Sequence, residues 1–92
     1  MVTTSRRTAR GRMLTPAQIR AARALLDWSQ PDLAERSGVH VNSIKSFERE
    51  KSAPVWTTMA KIERALKKAG VVFIDTDDSH GPGVRLRDKP AD

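Results

Sequence analysis

The sequence predicts a mainly α-helical domain of four short helices, followed by a C-terminal β-hairpin or strand pair. Three observations support this fold class. Apolar residues recur at helical spacing from about residue 15 to residue 69. Capping or terminating residues stand at most of the proposed helix ends. After Gly70 the pattern changes to β-branched and alternating residues, which is typical of strands.

The boundaries of these patterns divide the chain into four parts. Residues 1–13 form a basic arm that we expect to be disordered, because they show no period and carry four arginines. Residues 14–70 contain the helices, residues 71–88 contain the hairpin, and residues 89–92 are a tail. The arm either lies along the phosphates or in the minor groove of a nucleic acid, or it is simply a solvated terminus, and its composition does not decide between these alternatives.

The composition favours a small domain with a polyanionic partner. The 92 residues carry a formal net charge of +6 and include no cysteine, which excludes disulfides and thiolate metal sites. No apolar run approaches the roughly 18 residues of a membrane helix, and the arginine-rich start lacks the apolar segment of a signal peptide. We therefore expect no membrane contact and a cytoplasmic location.

Residues that favour helix initiation begin the first two helices. Thr15 can cap helix 1 and Gln18 can complete a capping box, with Pro16 at the first helical position. Arg23 lies beside the apolar face of this helix and therefore needs a polar partner. The apolar face itself is formed by Ile19, Ala22 and Leu26.

The stretch from Ser29 to Glu50 predicts two helices joined by a tight turn. Ser29 and Asp32 form a second capping box, and Gly38 stands where a left-handed residue would end the helix. The next helix runs from about Val41 to Glu50, with Ile44 and Phe47 facing inward and polar residues facing outward. This is the helix-turn-helix arrangement, in which the second helix enters the DNA major groove.

The remaining chain contains one more helix and the hairpin. Helix 4 follows Pro54 and runs from about Trp56 to Ala69, before strands at residues 71–75 and 84–87. A two-stranded hairpin is marginally stable alone, so it must pack on the helices or pair with a second copy of the chain. We expect dimerisation through the apolar residues of the hairpin, namely Val72, Phe73, Ile74, Val84 and Leu86.

One set of residues resembles the lambda-repressor-like family of helix-turn-helix regulators, also called the Cro/CI or Xre type. The resemblance covers about residues 14–69, and the strand-loop-strand ending is similar to that of short single-domain members. The matching positions are Gln30, Leu33, Ala34, Gly38, Val39, Ile44, Phe47 and Glu48, followed by Pro54.

The resemblance implies roles for particular side chains. It implies a partly buried ion pair between Arg23 and Glu48. It also implies that Val41, Asn42 and Ser46 on helix 3 face base edges, and we add Lys45 to this base-reading set. It implies a phosphate contact from Gln30, and we assign further phosphate contacts to His40, Ser43, Arg49 and Lys51.

Two residues depart from the family pattern. His40 occupies the cap position of helix 3, where the family usually has Ser or Thr, and a neutral imidazole can accept the capping hydrogen bond. Glu50 stands where the family often has Gly at the helix end. Its carboxylate opposes the helix dipole there, so Lys51 is the better candidate to approach DNA.

These observations predict a sequence-specific DNA-binding regulator rather than an enzyme. His40 and His80 lie in different elements, no metal-ligating cluster is present in the sequence, and no cofactor is expected. The most direct hypothesis is a homodimeric repressor of a palindromic operator, associated with a bacterial or phage nucleoid, that acts either by occlusion of the promoter or by contact with polymerase as a partner protein. The alternatives are an antitoxin that binds a toxin and represses its own operon, and a protein-interaction module that does not bind DNA.

Overall fold

A computed structural model describes residues 14–50 and 55–89. These residues form four helices and one antiparallel hairpin, so the predicted fold class is confirmed. The basic arm, Lys51, Pro54 and the last three residues of the tail lie outside the described residues. The elements are α1 (Pro16–Leu26), α2 (Gln30–Ser37), α3 (Val41–Glu48), α4 (Trp56–Lys68), β1 (Val71–Ile74) and β2 (Gly83–Leu86). Among the described helices, none combines the length and the apolar character needed to cross a membrane.

Reciprocal capping boxes begin α1 and α2, as predicted. The Thr15 N–H donates to Gln18 Oε1 at 3.0 Å, and the Gln18 N–H donates to Thr15 Oγ1 at 3.1 Å. Ser29 and Asp32 repeat this pairing at 2.9 and 3.1 Å. Each box satisfies backbone donors that the first helical turn leaves without partners. Gly38 ends α2 at φ 75°, a left-handed conformation that costs glycine little.

The end of α3 differs from the prediction by two residues. The helix ends at Glu48, Arg49 is its C-terminal cap, and Glu50 follows with φ 62°. The left-handed region is unfavourable for a residue with a Cβ atom, which explains why glycine is the expected residue there. The strands also shift by one residue, so β1 ends at Ile74 and β2 begins at Gly83.

A single apolar core joins the four helices to one face of the hairpin. The sequence analysis identified Ile19, Ala22, Ile44 and Phe47 from helical spacing, but it missed Leu14, which is only 2% exposed just before α1. Trp28, Val84 and Leu86 pack against the core from its edge. The buried apolar residues are Leu14, Ile19, Ala22, Leu33, Val39, Ile44, Phe47, Met59, Ile62, Ala65, Leu66, Val71 and Phe73.

The two faces of the hairpin have different environments. Val71 pairs with Leu86 and Phe73 pairs with Val84, and these four side chains face the helices. Phe73 was predicted to be a dimerisation residue, and its side chain lies in the core of the single chain, where it is 7% exposed. Val84 and Leu86, two other predicted dimerisation residues, are half-buried on the same inner face and pack against the core.

Hydrogen bonds hold the hairpin at both ends. At the loop end, Gln18 Nε2 donates to the carbonyl oxygens of Ile74 at 3.3 Å and Gly83 at 3.0 Å. At the other end, the Arg87 N–H donates to the Gly70 carbonyl at 2.7 Å. The hairpin is therefore attached to α1 by polar contacts as well as by the apolar core.

The α2 capping box makes stability depend on pH in the acid range. The hydrogen bond from the Ser29 backbone N–H, and then that from its side chain, lower the pKa of Asp32 below its ordinary 3.8. A carboxyl with a lowered folded-state pKa stabilises the fold above its unfolded-state pKa, and this contribution is lost as pH falls through the folded-state value.

Urea unfolding of wild type and Asp32→Asn over a series of pH values tests this contribution of Asp32 to stability. The difference in free energy of unfolding should be constant from about pH 5 to 7 and should shrink below about pH 4. A difference that stays constant throughout the acid range would contradict this assignment.

Candidate nucleic-acid interface

A buried carboxylate fixes the end of α3. The Glu48 side chain is 3% exposed, and both of its oxygens accept hydrogen bonds from the Arg23 guanidinium. Arg23 Nε lies 2.8 Å from Oε2 and Nη2 lies 2.6 Å from Oε1. This bidentate contact matches the planar fork of arginine to the carboxylate, which makes it directional as well as attractive. It is the ion pair that the family resemblance implied.

Other polar groups converge on Glu48 and Arg23. Gln30 Nε2 donates to Glu48 Oε1 at 3.0 Å, and Arg20 Nη1 donates to the Glu48 backbone carbonyl at 2.6 Å. Arg23 Nη1 also donates to the Trp28 carbonyl at 3.0 Å. We call Arg20, Arg23, Gln30 and Glu48 the Glu48 cluster. Through it, α1 and the first residue of α2 hold the C-terminal end of α3 in place.

The sequence analysis missed two parts of the Glu48 cluster. Arg20 was not singled out, because an exposed arginine on a helix gives no sequence signal for a distant carbonyl partner. Gln30 was assigned to a phosphate, and the structure shows one of its amide hydrogens donating to Glu48. A primary amide has a second hydrogen, so Gln30 can donate to a phosphate while it keeps this contact.

The two sides of α3 differ in exposure. Ile44 and Phe47 are buried in the core, and the opposite side carries the polar residues. Asn42, Ser43 and Lys45 are exposed there, and Val41 and Ser46 are half-buried beside them. Positions i, i+1, i+4 and i+5 share one side of a helix, so the four residues of the predicted base-reading set lie together.

His40 caps the N-terminal end of α3 with its imidazole ring. Its Nδ1 accepts the Asn42 backbone N–H at 3.1 Å. A neutral imidazole whose Nδ1 is an acceptor carries its proton on Nε2, so the ring retains a donor for another group. The exposed histidine thus combines helix capping with a hydrogen-bond donor on the same end of α3 that carries Asn42.

The remaining predicted phosphate ligands lie beside the exposed side of α3 or outside the described residues. Arg49 is exposed at the C-terminal cap of α3, and Ser43 is exposed in its first turn. Lys51 lies outside the described residues. No acidic residue occurs between Arg36 and Phe47, so the exposed side of α3 carries cations and neutral polar groups up to its last turn. Across residues 14–50 and 55–89, no three His, Asp or Glu side chains are grouped as metal ligands would be.

A comparison with protein families identifies one match. The model of the helix-turn-helix family HTH_3 matches residues 19–71, which extend from α1 to the start of β1. The matched segment includes Arg20, Arg23, Gln30 and Glu48, and the whole exposed face of α3. No curated protein matches the chain significantly.

The Glu48 cluster predicts a large effect when one charge is removed. Arg23→Met leaves the Glu48 carboxylate buried without its main partner, so the free energy of unfolding should fall by about 3–5 kcal/mol. The double variant Arg23→Met/Glu48→Met replaces both charges with apolar groups and should lose less than the single variant. Urea unfolding of wild type, the single variant and the double variant measures these differences in the free energy of unfolding. A double variant as unstable as Arg23→Met would contradict the ion-pair explanation.

The His40 cap makes a separate prediction. His40→Ala removes the acceptor for the Asn42 N–H and should destabilise the protein by about 1 kcal/mol, the usual cost of losing a helix cap. His40→Ser provides a hydroxyl acceptor at the same position and should retain wild-type stability or exceed it. Thermal unfolding near neutral pH compares the variants, and equal stability of the alanine and serine variants would show that the imidazole cap contributes nothing.

Proposed function

Since this chain belongs to the helix-turn-helix family HTH_3 of DNA-binding regulators, we propose that it recognises a specific DNA sequence through the exposed side of α3. The observation that supports this most strongly is the fixed position of that helix. The Glu48 cluster holds its C-terminal end against α1 and α2, and the core holds its inner face. A rigid helix with an exposed polar side is suited to reading bases in a major groove.

In this proposal, the base contacts come from the exposed side of α3. Asn42 donates to and accepts from an adenine edge, which is a bidentate contact that distinguishes adenine from other bases. Val41 packs on a thymine methyl group, and Ser46 and Lys45 reach neighbouring bases, with lysine favouring guanine acceptors. These contacts supply sequence preference rather than most of the affinity.

The phosphate contacts flank this set and supply the salt-dependent part of the affinity. Gln30 and His40 each retain an N–H donor after their contacts within the protein. Arg49 and Lys51 follow the C-terminal end of α3 and would neutralise phosphates on that side of the groove. Ser43 adds a hydroxyl near the N-terminal end of the helix.

We further propose that the protein binds as a homodimer and represses transcription from a palindromic operator. Val72 and Ile74 are partly exposed on the outer face of β1, which gives a small apolar surface for a second copy. Two recognition helices separated by about 34 Å would fit successive major grooves on one side of B-DNA. Such binding would repress by excluding polymerase from a promoter that overlaps the operator.

Selection from a random duplex library with the purified protein tests the proposed function. We expect enrichment of one motif with two inverted half-sites. A single enriched half-site would support DNA recognition and contradict the dimer. No enrichment at low salt would contradict sequence-specific recognition and favour the protein-interaction alternative. The antitoxin alternative keeps the same DNA result and adds a toxin as a tight-binding partner.

Substitutions on α3 separate base contacts from phosphate contacts. Asn42→Ala should relax preference at one base pair and cost about 1–3 kcal/mol on the selected sequence. Arg49→Ala should weaken binding to all sequences alike and reduce the slope of log K against log salt by about 1. Fluorescence anisotropy at several salt concentrations measures both effects. An equal loss on every sequence for Asn42→Ala would overturn its base-reading role.

A further inference from the structure

Gln18 is a buried polar residue whose side chain joins two distant parts of the chain. It is 5% exposed, and its Oε1 is occupied by the Thr15 N–H of the capping box. Its Nε2 donates to the carbonyls of Ile74 and Gly83, which pair across the two strands. One side chain therefore contacts the start of α1 and both strands of the hairpin at their loop end.

The same helix also holds the recognition helix. Arg20 and Arg23 follow Gln18 on α1 and bind the backbone and the carboxylate of Glu48 at the end of α3. Arg23 lies five positions after Gln18 on the helix, a rise of about 7.5 Å. The α1 side chains that bind the hairpin and those that bind α3 are therefore close together on one helix.

We propose that Gln18 is a positioning residue that fixes the hairpin relative to α3 and thereby sets the spacing between the two half-sites of the operator. This inference rests on the proposed function, because it needs two copies joined through their hairpins. In such a dimer, any rotation of the hairpin on α1 moves one recognition helix relative to the other.

The position of one recognition helix relative to the other must be held precisely. The longest dimension of the described protein is 41 Å. A lever of about 20 Å that turns by about 10° displaces its end by roughly 3.5 Å, close to the 3.4 Å rise between successive nucleotides of one strand. A rotation of about 10° at the hairpin would therefore displace a recognition helix by about one base-pair step. Two hydrogen bonds at the loop end of the hairpin oppose such a rotation.

The test variant is Gln18→Glu, which separates the two roles of the side chain. A glutamate keeps an oxygen that accepts the Thr15 N–H, and Glu is a usual capping-box residue. It removes both donors to the hairpin and directs a carboxylate oxygen at two carbonyl oxygens. The matched control is Thr15→Ala, which weakens the same capping box through loss of Oγ1 and leaves the Gln18 amide contacts with the hairpin intact.

The measurement compares binding to the selected operator, to operators whose central spacer is longer or shorter by one base pair, and to a single half-site. For wild type and Thr15→Ala, altered spacing should weaken binding by at least about fivefold, the lower end of usual coupling between sites. We call the affinity for the selected operator divided by that for an operator of altered spacing the spacing ratio. For Gln18→Glu, the spacing ratio should approach one, while the affinity for the half-site stays equal to that of wild type. Faster amide hydrogen exchange in β1 and β2, without change in α3, should accompany this loss.

Several outcomes would overturn the inference. One is a wild-type spacing ratio in Gln18→Glu together with faster exchange in the hairpin. Another is unchanged exchange in the hairpin, and a third is an equal loss of affinity on the half-site and the full operator. If Gln18→Glu does not fold, Gln18→Met removes the same donors without a charge and is judged by the same ratio. A wild-type protein that ignores spacing overturns the dimer proposal itself, which is distinguishable because no variant is involved.

Discussion

The burial of one carboxylate constrains the arrangement of the three N-terminal helices. Glu48 sits in the last turn of α3 with 3% of its side chain exposed, and an unpaired charge there would cost several kcal/mol. The structure meets this requirement with the Arg23 guanidinium and the Gln30 amide, and Arg20 binds the adjacent carbonyl. Because these donors come from α1 and α2, the need to pair Glu48 also fixes the orientation of α3.

This arrangement separates structural from functional side chains on α3. Glu48 and the buried residues Ile44 and Phe47 attach the helix to the fold. Asn42 and Lys45 are exposed on the other side, where they contribute nothing to the core. Substitutions on that side can therefore change a recognised sequence with little effect on folding. Substitutions on the outer face of the hairpin should likewise have little effect on folding, because Phe73 and not Val72 packs on the helices.

The sequence predicted features whose determinants lie within a few residues of one another. The capping boxes of Thr15 with Gln18 and of Ser29 with Asp32 each lie within four consecutive residues, and Gly38 is a local turn signal. The Arg23–Glu48 pair came only through family resemblance. The contacts of Arg20 with Glu48 and of Gln18 with the hairpin span 28 to 65 residues in sequence, so no local pattern indicates them. The burial of Phe73 was also not indicated, because every residue from Val71 to Ile74 is apolar and such a strand does not show which of its faces is covered.

The central claim is that the exposed side of α3 is the surface that meets DNA. Titration of the isotopically labelled protein with the selected duplex, followed by amide and side-chain chemical shifts, tests it most directly. The account predicts the largest shift changes at His40, at the exposed residues of α3 and at the Gln30 side chain, with small changes on the exposed side of α4. Changes confined to α4 or to the hairpin, with α3 unaffected, would contradict it.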